Sequence, residues 1–285
     1  MAQMIVYHTA LLLFAVSSVA GMWALRDPVP SRVRTLRAIV GAAAAAVLLF
    51  LVLDTAARGG APLAGLFRSL LGVTFLFAAG GLTTDIFLRI PALSLAASLT
   101  GVASLAGALA LAPSPGSART DLFANHWIGL HVACMLVAYA AFVLGALAGA
   151  LYLFAATSLK RKRRLDLVES LPSLETLDLL ERRSVLTGFL LLTVGLVVGY
   201  LVRREETARA TEWRMDPKVV WTGVTWVAYL VVIAARRLPR LRGRRGAWLA
   251  VLGLFFVLFT YFGVRTGFHV YDAEPPRTPA PHGGP

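Results

Sequence analysis

Two histidines, a tryptophan-bearing stretch and one carboxylate account for most of the chemistry this chain could perform. His131 lies near the start of a long apolar run, and His269 lies just past the last one, in G-F-H-V-Y. Between them, Trp213 to Tyr229 reads W-R-M-D-P-K-V-V-W-T-G-V-T-W-V-A-Y. The stretch opens on charged residues and runs into an apolar helix, with Trp213, Asp216, Trp221 and Trp226 inside it. A neutral imidazole is a good axial ligand for heme iron, and two of them complete its coordination. Indole faces pack well against a large, flat, apolar macrocycle. Arg203, Arg204, Arg209, Arg214 or Arg265 would pair with its propionates.

Plainer roles fit the same residues. Tryptophans at a membrane boundary are common anchors, and so is a lone interfacial histidine. Asp216-Pro217 reads equally well as a helix start, with Asp as N-cap and Pro at the first helical position. Trp221 and Trp226 are separated by about 140° around a helix, so they do not form one flat face. His8 falls inside the first apolar run, where an ionisable group is a functional suspect. His126, beside Trp127, reads as exposed at a helix start, and His282 sits in the tail.

The elements that must position these residues are membrane spans. The chain has 285 residues and is 58% hydrophobic with 15% charged, too little polar surface for a soluble domain of this size. Apolar runs long enough to cross a bilayer recur at about 4–25, 38–56, 66–88, 92–112, 127–157, 184–202, 217–235 and 247–267. Runs of this length in lipid are helices, because only helices satisfy their own backbone groups there. No Lys or Arg precedes the first run, so it reads as a span and not as a signal peptide. The single cysteine, Cys134, leaves no internal disulfide and no CxxC pair. The expected fold is therefore all-α, one membrane domain over 1–271, followed by a Pro- and Gly-rich disordered tail at 272–285.

The net charge of +13 raises nucleic acid as a partner, but the basic residues lie in short loops between spans. They cluster at 26–37, at Arg89, at 160–164 with Arg182 and Arg183, and at 236–245. The positive-inside rule then puts both termini outside and leaves lipid, not nucleic acid, as the expected contact. In the 160–183 segment Leu171, Leu174 and Leu177 repeat every three residues with acids between them, the pattern of an amphipathic helix on the membrane surface. A solvated basic loop fits its K-R-K-R-R start equally well. Asp54 and Asp85 fall near opposite ends of spans two and three, where each can reach water.

These pieces together resemble the cytochrome c assembly and heme-handling membrane proteins of the CcsA, ResC and HemX type, from about residue 66 to 271. The family's tryptophan-rich motif is matched by Trp213, Asp216, Pro217, Lys218, Trp221, Trp226 and Tyr229. Flanking pieces match in order: W-I-G-L-H-V from Trp127, L-P-S-L-E-T-L-D from Leu171, G-F-L-L-L-T-V-G from Gly188, R-G-R-R-G-A-W from Arg242 and G-F-H-V-Y from Gly267. The resemblance implies that His131 and His269 ligate heme b, transiently bound on the extracytoplasmic face of a bacterial cytoplasmic membrane. It implies presentation of that heme to apocytochrome c with a CcsB-like partner, as at most one component of a cytochrome c synthase (heme lyase). Met215 and Val219 depart from the motif, the upstream W-G is absent, and Ala234 stands where family synthases carry an intramembrane histidine. The alternative, a HemX-like regulator or scaffold of heme biosynthesis acting through a partner, therefore stays open. A transporter would need a polar path joining both faces.

Overall fold

A computed structural model of the chain describes residues 2–27, 29–58, 63, 65–110, 126–162, 168, 171–205, 217–238 and 241–263. Among these, eight helices are long and apolar enough to cross a membrane. They are α1 (Ala2–Arg26), α2 (Pro30–Arg58), α3 (Gly65–Leu88), α4 (Pro91–Ala110), α5 (His126–Arg161), α6 (Leu174–Glu205), α7 (Pro217–Ala235) and α8 (Arg244–Leu258). A π-helical turn, Phe259–Gly263, extends α8. Three helices begin on proline, whose missing N–H costs nothing at a position that has no intrahelical acceptor. The tail at 272–285 lies outside the described residues.

Each helix runs opposite to the next in the chain, and paired contacts show the sense. Ser17 meets Ser98 and Tyr7 meets the Leu105 carbonyl across α1 and α4. Along α6 and α7, Trp226 pairs with Thr193 and Arg236 with Glu181. The helices form two groups. Tyr7, Phe14, Leu36, Phe50, Leu71 and Phe77 fill a core among α1 to α4. A second core, with Tyr139, Phe142, Val185, Leu192, Tyr229 and Val257, lies among α5 to α8. The α3 and α5 helices join the groups, and Ser69 on α3 bonds the Tyr261 hydroxyl of the π turn at 2.7 Å. Exposed Trp127 and Trp221 mark one end of the bundle, and exposed Trp23 and Trp248 mark the other. These are the positions that amphipathic rings take at the two faces of a bilayer.

The acids do not behave as their local sequence suggests. Asp54 and Asp85 do not reach water: they are 2% and 0% exposed. Asp54 pairs with Arg68 at 2.6 Å. Asp85 holds Arg37 through both carboxylate oxygens, at 2.7 and 3.1 Å, and also accepts from Ser94. Charges taken out of water must be paired, and here the pairs tie α2 to α3 at both ends.

The segment 160–183 is also different from its leucine pattern. From Leu174 onward its residues belong to a membrane-spanning helix and not to a helix of their own. Lys160 and Arg161 close α5, while Leu174 opens α6, which begins ten residues before the expected span at 184 and runs straight through it. Leu177 is fully buried, and Glu181, 0% exposed, pairs with Arg236 from the end of α7. Arg236 also reaches Asp178 at 3.4 Å. The acids that look like the polar face of a surface helix are thus the partners of a buried guanidinium. Glu181→Ala should strip Arg236 of its nearer counter-charge and cost about 3 kcal/mol, the low end for a broken buried pair because Asp178 remains. Thermal or denaturant unfolding in detergent checks this; an unchanged midpoint would show that the pair contributes nothing net.

Candidate functional site

The described histidines lie toward the end of the bundle marked by Trp127 and Trp221. His131 projects from the second turn of α5 against the C-terminal third of α6. The imidazole Nδ1 lies 2.7 Å from the Gly195 carbonyl oxygen. A carbonyl can only accept, so Nδ1 carries the hydrogen, and in the neutral ring the lone pair is on Nε2. That is the arrangement seen where histidines ligate metals: one nitrogen donates to a backbone oxygen, and the other faces the ion.

Glycine makes this contact possible. A Cβ on Gly199 would sit 2.8 Å from both Cε1 and Nδ1 of His131, and one on Gly195 would sit 2.9 Å from the Met135 sulfur. Further down the same face, a Cβ on Gly188 would lie 2.7 Å from the Phe142 ring. The α5 side chains therefore lie directly on the α6 backbone, where any larger residue would push them away.

The two described tryptophans of the motif point in different directions. Trp226 is half-buried, donates its indole N–H to Thr193 Oγ1 at 2.9 Å and packs on Phe189 with ring centroids 5.4 Å apart. Trp221 is 36% exposed and meets Phe259 edge-on, with centroids 4.8 Å apart. The 140° separation expected of the pair is realised: one ring is spent on α6, and the other stays accessible beside the π turn. Tyr229, which ends the motif, is fully buried and stacks on Phe142 at 3.7 Å.

Trp213, Asp216 and His269 lie outside the described residues; Pro217 does open α7, as the Asp-Pro step leads one to expect. His126 is the first residue of α5. His8 is exposed on α1 and bonds the Met4 carbonyl of its own helix at 2.7 Å. It borders an open depression of about 460 Å³ shared with Met4, Ile5, Thr9 and Leu12. All five residues lie on one helix, so this is a surface groove without a facing wall.

Thr193 and Gly195 fall within the G-F-L-L-L-T-V-G piece that begins at Gly188, whereas Gly199 lies outside every matched piece. The glycines carry a further signal in the spacing of Gly188, Gly195 and Gly199 along a single face of α6. Trp226→Phe should remove the indole bond and cost about 1 kcal/mol, whereas Trp221→Phe should leave stability unchanged. Unfolding midpoints of the two variants in detergent check the difference, and equal effects would contradict it.

A family model described as cytochrome C assembly protein matches residues 5–269. The cytochrome c biogenesis protein CcsA of Synechococcus is 30% identical over 86% of this chain and 87% of its own length. CcsA of Prochlorococcus marinus strain SARG is 27% identical over 82% and 83%. CcsA of Guillardia theta is 33% identical, over 52% of this chain and 54% of its own. For that protein and some others the matched part spans about half of the relative's length.

Proposed function

The chain belongs to the cytochrome c assembly protein family and is a multi-pass membrane protein, and from that premise we propose that it binds heme at the His131 end of the bundle for c-type cytochrome assembly. The observation that carries this reading is the 2.7 Å contact between His131 Nδ1 and the Gly195 carbonyl, which assigns the basic lone pair to Nε2. The donor set suits iron: an oriented imidazole on α5, with a half-buried and an accessible indole on α7, toward the boundary where a ligand with one greasy and one charged edge would lodge.

In this reading His131 and His269 hold the iron, and Trp213, Trp221 and Trp226 form the macrocycle-facing edge. Trp226 would act mainly through its fixed position on α6. Asp216 pins the loop to the start of α7 as its N-cap. Bound heme supplies the vinyl groups to which cysteines of an apocytochrome c become joined by thioether bonds. This chain's own part is to bind, orient and shield, because its only cysteine, Cys134, is buried. A CcsB-like protein and the apocytochrome are the partners this role requires.

A second reading, a HemX-like regulator or scaffold of heme biosynthesis, is favoured by one feature. Among the described residues no histidine lies at the opposite end of the bundle, and Ala234 is exposed near that end of α7. Heme would then be sensed at one face without being carried across.

The purified full chain should carry heme in about one-to-one ratio, lost on His131→Ala and on His269→Ala. Absorption spectra check this; a heme-free wild type whose deletion shifts heme-precursor levels would instead support the regulator. We further propose that both termini and the His131 end face outward from a bacterial cytoplasmic membrane, since the basic loops cluster at the other end. Alkaline phosphatase fused at residue 285 should be active and fused within 163–167 should be inactive; the reverse pattern would invert the topology.

A further inference from the structure

We infer that the Gly195–Gly199 step of α6 is a positioning device for His131, which selects Nε2 as the iron-binding nitrogen and sets the ring's plane. The inference rests on the heme-ligand reading above and deepens it. Two independent features of α6 act on one ring. The Gly195 carbonyl takes the Nδ1 hydrogen at 2.7 Å, and so chooses the tautomer. The bare Cα of Gly199 lets the same ring lie against the helix, where a methyl group would stand 2.8 Å from two ring atoms. A carbonyl inside a helix ordinarily accepts only from the amide four residues on, and its second lone pair is available for a side chain that can come close enough. Without a glycine at 199, the approach that makes this bond would be blocked.

The same stretch of helix also holds Trp226. Thr193 accepts the indole N–H, and Gly195 accepts from the imidazole two residues later. The two bonds leave α6 within two residues of each other, one to α5 and one to α7. The helix thereby sets the separation between the ligand on α5 and the tryptophan-bearing α7. A shift or rotation of α6 would move both at once.

Gly199→Ala is the direct variant. The imidazole is the free end of a side chain and can rotate off the helix, so the fold should survive while the ring loses its seat. Gly188→Ala is the matched control, because its methyl would strike Phe142 on the same α5–α6 face but far from His131. Heme affinity of Gly199→Ala, read by titration and absorption spectra of the full chain in detergent, should fall about 10-fold or more, as for other lost supports of a metal-ligating histidine. Its spectrum should move toward a high-spin form, and millimolar free imidazole should restore the low-spin form. Gly188→Ala should lower the unfolding midpoint and leave the spectrum unchanged.

If His131→Ala loses heme while Gly199→Ala keeps the wild-type affinity and spectrum, the positioning inference is wrong and the ligand assignment stands. Equal spectral effects of Gly199→Ala and Gly188→Ala would likewise reduce the step to ordinary packing. If His131→Ala itself retains heme unchanged, the ligand assignment fails and takes the inference with it. A readout that needs no variant is the ¹⁵N spectrum of the His131 ring in the heme-free protein. It should show Nδ1 protonated and Nε2 bare, and the opposite tautomer would overturn the inference.

Discussion

The close antiparallel contact of α5 on α6 is the constraint from which the rest of the site follows. Within a bilayer there is little hydrophobic gain in bringing two apolar helices together, so association depends on fit and on polar contacts between them. Here the fit comes from glycine on both helices. Gly188, Gly195 and Gly199 admit Phe142, Met135 and His131 to the α6 backbone, while Gly145 and Gly149 open α5 to Val185 and to the Ala247 backbone of α8. Side chains that would elsewhere stand off a neighbouring helix are pressed against its main chain. An imidazole in that position meets a carbonyl, and its tautomer ceases to be free.

Buried charge does the complementary work at the bundle's ends. Arg37–Asp85 and Arg68–Asp54 clamp α2 to α3, and Arg236 with Glu181 and Asp178 clamps α7 to α6. Such pairs add little net stability compared with apolar packing, but each is costly to break. They therefore act as registry pins, opposing the sliding of helices that apolar surfaces alone would permit. Register matters for this protein because Thr193 and Gly195 must stay level with Trp226 and His131 at the same time.

The parts legible in the sequence are those that depend on local pattern. Apolar run length located all eight spans, and the Asp-Pro step marked the start of α7. The helical angle between Trp221 and Trp226 separated their surroundings correctly. What sequence reading missed depends on partners far along the chain. Asp85 finds Arg37 48 residues away, and Glu181 finds Arg236 55 residues away. Without those partners the acids look like water-reaching ends or the wet side of a surface helix. For the same reason, His131 could be nominated by residue type, whereas the role of Gly195 and Gly199 beneath it could not. A backbone carbonyl and two hydrogens in place of side chains leave no chemical signature in a sequence.

The role of His131 is tested most directly by a cryo-electron microscopy map of the heme-loaded full chain. The account predicts iron bonded to Nε2 of His131, with Nδ1 still held by the Gly195 carbonyl and the ring resting on Gly199. Iron bound through Nδ1, or heme lodged away from the α5–α6 contact, would contradict it.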